Sequence, residues 1–352
     1  MAKVLMKGNE AVGQACISAK CDAYFAYPIT PQSEVPEYLS REMPKQGGKF
    51  MQGESEVAVI NMLYGAAGAG ARVCTSSSSP GIALMQEGIS YMAGAELPVL
   101  LINMMRGGPG LGSIQPSQTD YFQATRGGGN GDYRTITLAP ASIQEMVKLV
   151  QVGFDLADYY RTPVIMVGDG MLGQMMEPVE FPEYKPCKDL KAKTWAAVGT
   201  EGKRKPNIIN SLYLSPDELE AHNKHLIEKF KTIEKDEVRV ETEGIEDADI
   251  VFTAFGTTSR ICKSAGEILK EKGYKVGYVR PITLWPFPYD AYKKINKNCK
   301  LILDVELNQG QMIDDVRLAV MDRIRTEFYG RQGGMIPTAE EIANVVLKML
   351  EA

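Results

Sequence analysis

Histidine is nearly missing from this chain, at two in 352 residues, and cysteine is sparse, at six. His222 and His225 stand three apart in the charged stretch Pro216 to Lys235, which reads as a surface helix with no further ligand type beside them. The pair is therefore expected to be a solvated helix face and not a metal site. A Ser-His-Asp triad would have to borrow one of these two, which leaves acid–base work to carboxylates or to a cofactor. Cys16, Cys21, Cys74, Cys187, Cys262 and Cys299 never form a C-x-x-C pair, so no iron–sulfur or zinc site is expected within the chain. Such usage suits a reducing, cytoplasmic location. Long apolar runs are missing too: Leu97 to Met105, the longest, is broken by Pro98 and Asn103 and is too short to span a bilayer. Met1 to Gly8 lacks the apolar core of an export signal, so neither membrane insertion nor export is expected. Positive charge is not in excess, with 39 basic against 44 acidic residues and no basic cluster longer than Lys203-Arg204-Lys205. Nucleic-acid binding is not expected.

What remains is a globular composition, 44% apolar and 24% charged, at a length that suits roughly two domains. Strand-like runs at Ala23–Ala26, Val73–Ser76, Val99–Met105, Thr135–Leu138 and Val164–Val167 alternate with helical patterns at Ala11–Lys20, Glu56–Ala69, Ile82–Ala93 and Ser142–Asp158. This is the signature of an α/β fold with a parallel sheet covered on both faces. From about Pro178 to Glu246, prolines, lysines and glutamates are common and strand signals few, as in a linker with a surface helix. A second alternating segment follows, with strands expected at Ile250–Phe255, Lys275–Val279 and Leu301–Val305 and helices at Ser259–Glu271 and Asp314–Phe328. The expected division is residues 1–185, a 186–245 linker, and a smaller α/β domain over 246–352.

In open parallel sheets ligands bind beyond the carboxyl ends of strands, and four of the loops there are unusual. Tyr27-Pro28-Ile29-Thr30-Pro31 holds a hydroxyl between two prolines, either as a rigid platform or as an N-cap threonine with proline at the first helical position. Glu56 opens a helix of small and apolar residues, either as a dipole-complementing glutamate or as a buried carboxylate that needs a partner. Ser76 to Gly81 is a small-residue loop that offers hydroxyls or merely turns. Arg106, at the end of an apolar strand, suits capture of a carboxylate or phosphate, or else an internal ion pair with Asp120. The glycine-rich run Gly127 to Asp132 suggests a lid; with no lysine and no G-K-[ST] ending it is not a P-loop.

Tyr27 to Glu34, Glu54-Ser55-Glu56-Val57-Ala58, Ser76 to Gly81, and Arg106 to Gly110 followed by Gln115 to Asp120 together resemble the α subunit of 2-oxoacid:ferredoxin oxidoreductases, with the branched-chain 2-oxoisovalerate type most similar. Arg280 to Pro288 and Glu306 to Gln311 extend the resemblance over nearly the whole chain. It implies a thiamine-diphosphate-binding, pyrimidine-type domain followed by a transketolase-C-terminal-like domain, with the cofactor shared with a separate β subunit. Gly168-Asp169-Gly170 resembles the diphosphate and magnesium signature of thiamine enzymes but lacks the asparagine such sites place some 25 residues on; Lys191 to Thr200 contains none. Asp169 is thus expected to be a strand-end turn, with the Mg2+ and the [4Fe-4S] clusters in partner chains. By resemblance Glu56 bonds the aminopyrimidine ring and shifts a proton on it, Thr30 and Arg106 hold the substrate's carbonyl and carboxylate, and Tyr27, Pro28, Ile29, Thr30, Glu56 and Ser79 contact the cofactor. The implied partners are β, γ and ferredoxin-like δ subunits, ferredoxin, a 2-oxoacid and coenzyme A, the products being acyl-CoA and CO2. Three alternatives stay open. One is the 2-oxoglutarate enzyme, whose second substrate carboxylate would call on Arg126 or Arg134. The others are a non-catalytic α/β binding module and a non-redox thiamine-dependent transferase or decarboxylase.

Overall fold

The computed structural model describes residues 3–351. In chain order its elements begin with β1 (Val4–Lys7), α1 (Gly8–Ser18), β2 (Ala23–Ala26), α2 (Glu34–Glu42), β3 (Lys49–Gln52), α3 (Glu56–Gly68), β4 (Val73–Ser77), α4 (Ser79–Gly94) and β5 (Val99–Met105). They continue through α5 (Tyr121–Arg126), β6 (Ile136–Leu138), α6 (Ile143–Tyr160), β7 (Pro163–Asp169), α7 (Gly170–Gln174), β8 (Met176–Val179) and α8 (Pro216–Asp236). The last third contains β9 (Val240–Glu243), β10 (Ile250–Thr253), α9 (Thr258–Glu271), β11 (Val276–Pro281), β12 (Thr283–Trp285), α10 (Tyr289–Tyr292), β13 (Leu301–Glu306), α11 (Met312–Val320), β14 (Thr326–Gly330) and α12 (Ala339–Glu351).

Seven strands form the larger sheet in the order β12-β6-β7-β5-β4-β2-β3, parallel except for β12. Its central strand β5 is buried along its whole length, which is why it reads as an apolar run with Asn103 its one polar residue. The five-stranded sheet runs β14-β13-β10-β11-β9 with β9 antiparallel, and β1 pairs with β8 as a small ribbon. Helix α6 shows how the pattern becomes packing. Ser142 caps it by accepting from the Glu145 amide, and Ile143, Met146, Val147, Val150 and Phe154 form one buried stripe.

Two expectations need correction. The helix expected over Asp314–Phe328 ends at Val320, where Met321 and Asp322 turn left-handed, and Thr326–Gly330 is strand β14, parallel to β13. The apolar spacing Met312, Ile313, Val316, Ala319, Val320 is helical, whereas the β-branched and aromatic residues beyond it favour a strand. The region expected to be poor in strands contains β8 and β9, and β9 lies in the smaller sheet. In return β12 leaves the smaller unit and pairs with β6 of the larger sheet, so each sheet draws a strand from across the 245/246 boundary. The histidines are not simply solvated. His222 bonds the Gly94 carbonyl at 2.7 Å and His225 bonds Glu96 at 3.0 Å, docking α8 beside α4.

One buried cation ties several of these segments together. Arg72, 8% exposed, meets Asp155 at 2.6 Å and Asp158 at 2.9 Å and donates to the Ala19 carbonyl and the Tyr184 hydroxyl. Replacing it leaves the fully buried Asp155 without a cation, while Asp158 keeps Lys193 at 2.7 Å. Arg72→Met is expected to cost about 3–5 kcal/mol, the usual penalty for breaking a buried pair from one side. Urea unfolding of both proteins checks this.

Candidate active site

Strands β5, β4, β2 and β3 are neighbours in that order, so the four loops leaving their carboxyl ends lie side by side. Those loops carry Arg106, Ser77 to Ser79, Thr30 and Glu56 respectively. The topology therefore gathers on one sheet edge the residues expected to carry chemistry.

Glu56 is the first residue of α3, whose N-cap Ser55 accepts from the Ala58 amide at 3.1 Å. It is 5% exposed, and among the described residues no side chain or amide hydrogen-bonds its carboxylate. Its neighbour is Gly81, in the first turn of α4. A methyl group there would stand 2.6 Å from Glu56 Oε1 and 2.2 Å from Ser77 Oγ. Only glycine leaves the carboxylate this room.

Thr30 does not cap a helix: α2 starts at Glu34, with Ser33 in the cap position. The N-cap reading falls. The platform is anchored from below by buried polar groups, because Ser76 Oγ bonds Gln32 Oε1 and lies 2.6 Å from the Tyr24 hydroxyl, while Gln32 Nε2 donates to the Tyr27 carbonyl. The Thr30–Pro31 bond is cis, and the Thr30 side chain remains exposed.

Arg106 is 6% exposed and donates to the Thr30 carbonyl at 2.9 Å and the Leu111 carbonyl at 3.2 Å. Its Nε is buried without a partner, and among the described residues no carboxylate lies within ion-pair distance of the guanidinium. The alternative of an ion pair with Asp120 is not realised. Asp120 instead accepts from Ser79 Oγ at 2.5 Å and Asn103 Nδ2 at 2.8 Å. Burial pushes the Asp120 carboxyl above the usual carboxylate range, against those two donors.

Ser79 is thus engaged, since its Oγ also accepts the Arg106 amide at 3.0 Å. The free hydroxyls are its neighbours: Ser77 Oγ and Ser78 Oγ are buried and unpartnered, as is Asn103 Oδ1. The resemblance singles out Ser79 in this loop as the cofactor contact, whereas the hydroxyls without partners are those of Ser77 and Ser78. The following motif, Gln115 to Asp120, serves chiefly as a clasp. Gln118 donates to the Phe255 carbonyl and accepts from Thr258 and the Leu307 amide, and Ser117 donates to the Leu307 carbonyl. The Phe255 to Ser259 turn is occupied by this clasp. Asp169 ends β7, caps α7 through the Met171 and Leu172 amides and bonds Thr257. The glycine-rich loop is strapped over α4, with the Gly128 amide on Gln86 and Ser90 on the Asn130 carbonyl.

A rim of exposed apolar side chains, Met51, Val57, Leu84, Leu111 and Ile114, flanks these loops in the chain. A cavity of about 680 Å3 lies elsewhere, lined by residues of α6 and α9.

Residues 14–242 match the family model for pyruvate flavodoxin/ferredoxin oxidoreductase, thiamine diphosphate-binding, and residues 248–342 match pyruvate:ferredoxin oxidoreductase core domain II. The chain is 47% identical to the ketoisovalerate oxidoreductase subunit VorB of Methanothermobacter marburgensis, over 97% of this chain and 96% of that one. It is 36% identical to the 2-oxoglutarate synthase subunit KorA of Archaeoglobus fulgidus, over 92% and 94%. A solved 2-oxoglutarate:ferredoxin oxidoreductase from Magnetococcus marinus, with 2-oxoglutarate, coenzyme A and succinyl-CoA bound, superposes with a TM-score of 0.88 at 30% identity, covering 99% of this chain and 65% of that one. The chain thus spans about two thirds of that solved protein. A split-gene transketolase shares the fold at a TM-score of 0.60 and 12% identity, over 98% of each chain.

Gly81→Ala is expected to displace the Glu56 carboxylate and lower turnover by roughly 10²-fold, the scale of a misplaced reacting group. Steady-state assay of the purified complex beside a thermal melt checks it, the melt being expected to move little.

Proposed function

The chain belongs to the 2-oxoacid:ferredoxin oxidoreductase family, and from that premise we propose that it supplies the activating carboxylate and the substrate cation of an enzyme that oxidatively decarboxylates a branched-chain 2-oxoacid to an acyl-CoA. The observation that carries this reading is a charge pattern. A buried carboxylate without a partner, Glu56, and a buried guanidinium with a free N–H, Arg106, sit on loops of the same sheet edge. Groups of that kind are costly unless a ligand completes them.

The residues present fit thiamine diphosphate. The unpartnered Ser77 and Ser78 hydroxyls, the cleared space at Gly81 and the free Glu56 carboxylate offer donors, room and an acceptor for an aminopyrimidine. When bound, the cofactor supplies a nucleophilic carbon and an electron sink. Glu56 would hold and return the proton at a pyrimidine ring nitrogen. The Arg106 fork, fixed by the Thr30 and Leu111 carbonyls, would hold the substrate carboxylate through its remaining N–H groups. Thr30 would orient the substrate carbonyl, and the backbone of Tyr27, Pro28 and Ile29 would line the same platform, while Ser79 keeps Arg106 in place.

The apolar rim suits a β subunit that closes the site, excludes water and brings the diphosphate and Mg2+ site. The [4Fe-4S] clusters, with γ and ferredoxin-like δ subunits and ferredoxin as acceptor, complete the proposed complex in the cytoplasm. No helix among the described residues is long and apolar enough to cross a membrane. Two observations favour a branched-chain substrate over 2-oxoglutarate. The 47% identity is to ketoisovalerate subunits. Arg126 is held by Asp315 at 3.1 Å, and it lines with Arg134 a separate cavity walled by Trp285 and Phe287.

With the purified complex, Glu56→Gln is expected to lower coenzyme-A-dependent viologen reduction by roughly 10²- to 10⁴-fold. Unchanged turnover would remove Glu56 from the chemistry. Arg106→Lys is expected to raise the KM for 2-oxoisovalerate more than it lowers kcat, because an ammonium cannot reproduce the fork. An unaltered substrate titration would show that Arg106 is structural, and faster reduction with 2-oxoglutarate would overturn the substrate class.

A further inference from the structure

Three of the six cysteines converge at one place. Cys21 Sγ lies 3.5 Å from Cys74 Sγ, and Cys74 Sγ lies 3.7 Å from Cys16 Sγ. Cys16 comes from α1, Cys21 from the corner between α1 and β2, and Cys74 from β4, so the trio is brought together by the fold alone. Cys16 and Cys74 are wholly buried, whereas Cys21 keeps 7% exposure.

Cys21 also lines a cleft of about 430 Å3, together with Lys20, Asp22, Met43, Gly48 and Lys49. That cleft lies where β2 and β3 begin, at the end of the sheet opposite the Glu56 and Arg106 loops. It is therefore separate from the proposed cofactor site. Two exposed lysines flank it and set positive charge at its mouth. The arrangement has two parts: a cysteine at the wall of a cleft, 7% exposed and with its thiol on the Ala23 and Arg72 carbonyls, and a second thiol directly behind it. Such a pair is what reversible thiol oxidation needs.

We propose that Cys21 and Cys74 form a reversible disulfide, with Cys21 as the thiol that meets a peroxide through the cleft and Cys74 as the thiol that resolves it. The Cys21 sulfur attacks one peroxide oxygen and the O–O bond breaks, leaving a sulfenic acid and releasing water. Cys74 then attacks that sulfur, the S–O bond breaks, and a second water leaves. Two thiols lose two electrons and two protons in total, and hydrogen peroxide is reduced to two waters. Forming a bond of about 2.0 Å requires the sulfurs to close by roughly 1.5 Å. A side-chain rotation at the loop residue Cys21 supplies this more readily than movement of β4. Among the described residues no group of three such side chains is arranged to hold a metal ion, so metal binding is not the favoured use of the trio.

The test uses the purified complex under anaerobic conditions. It is treated with hydrogen peroxide, its remaining thiols are alkylated on unfolding, and the chain is digested without reductant for mass spectrometry. The expected result is a peptide joining Cys21 to Cys74, lighter than the two free peptides by two hydrogens and lost on treatment with dithiothreitol. In Cys74→Ser a dimedone adduct should accumulate on Cys21, and in Cys16→Ser the cross-link should persist. Recovery of Cys16, Cys21 and Cys74 as free thiols while the exposed Cys187 is oxidised would overturn the proposal, as would a cross-link joining Cys16 to Cys74. The wild-type result is decisive even where a variant does not fold.

Discussion

The site depends on one buried carboxyl group. Asp120 takes the Ser79 hydroxyl and the Asn103 amide, and Ser79 in turn accepts the Arg106 backbone N–H. The start of α4 is thereby fixed to the end of β5, setting the distance between the loop that bears Gly81 and the loop that bears Arg106. In a low-dielectric interior hydrogen bonds of this kind hold their members in one geometry, here with the Asn103 Oδ1 left over. Ser117 and Gln118, just upstream of Asp120, carry the constraint into the second unit through Leu307, Phe255 and Thr258. One short stretch thus shapes the site and clasps the two sheets together.

Against that scaffold the active groups are deliberately incomplete. Ser79 and Asp120 satisfy each other, yet Ser77, Ser78 and Arg106 Nε are buried without partners, and Glu56, 5% exposed, has no hydrogen-bond partner among the described residues. A native interior tolerates few such groups, and these gather on the edge where strand order and loop length place a ligand.

How much of this was legible in the sequence follows from where each residue sits. Strands β2 and β5 could be read to the residue because buried strands of a parallel sheet are mostly apolar. Strand β3, half exposed and reading Lys-Phe-Met-Gln, could not, nor could β12, whose strand character comes from pairing with β6. Thr30 and Arg106 were legible because each follows a strand that could be read, and Glu56 because a carboxylate opens a helix of small and apolar residues. The difference between Ser79 and its neighbours was not, because it is decided by Asp120, 41 residues away in the chain. The proximity of Cys16, Cys21 and Cys74 was hidden for the same reason, since Cys21 and Cys74 are 53 residues apart.

Strand β12 has a consequence for how the protein is made. A ribosome emitting this chain completes β6 and its neighbours long before Thr283–Trp285 emerges, so the larger sheet is born with its β6 edge unpaired. Open strand edges invite pairing with other chains. Until the last third of the polypeptide has been synthesised, the nascent protein carries an unfinished seam that its own later sequence must close. The two units are therefore neither independent folding units nor parts that a gene could separate between β6 and β12 without exposing that seam again.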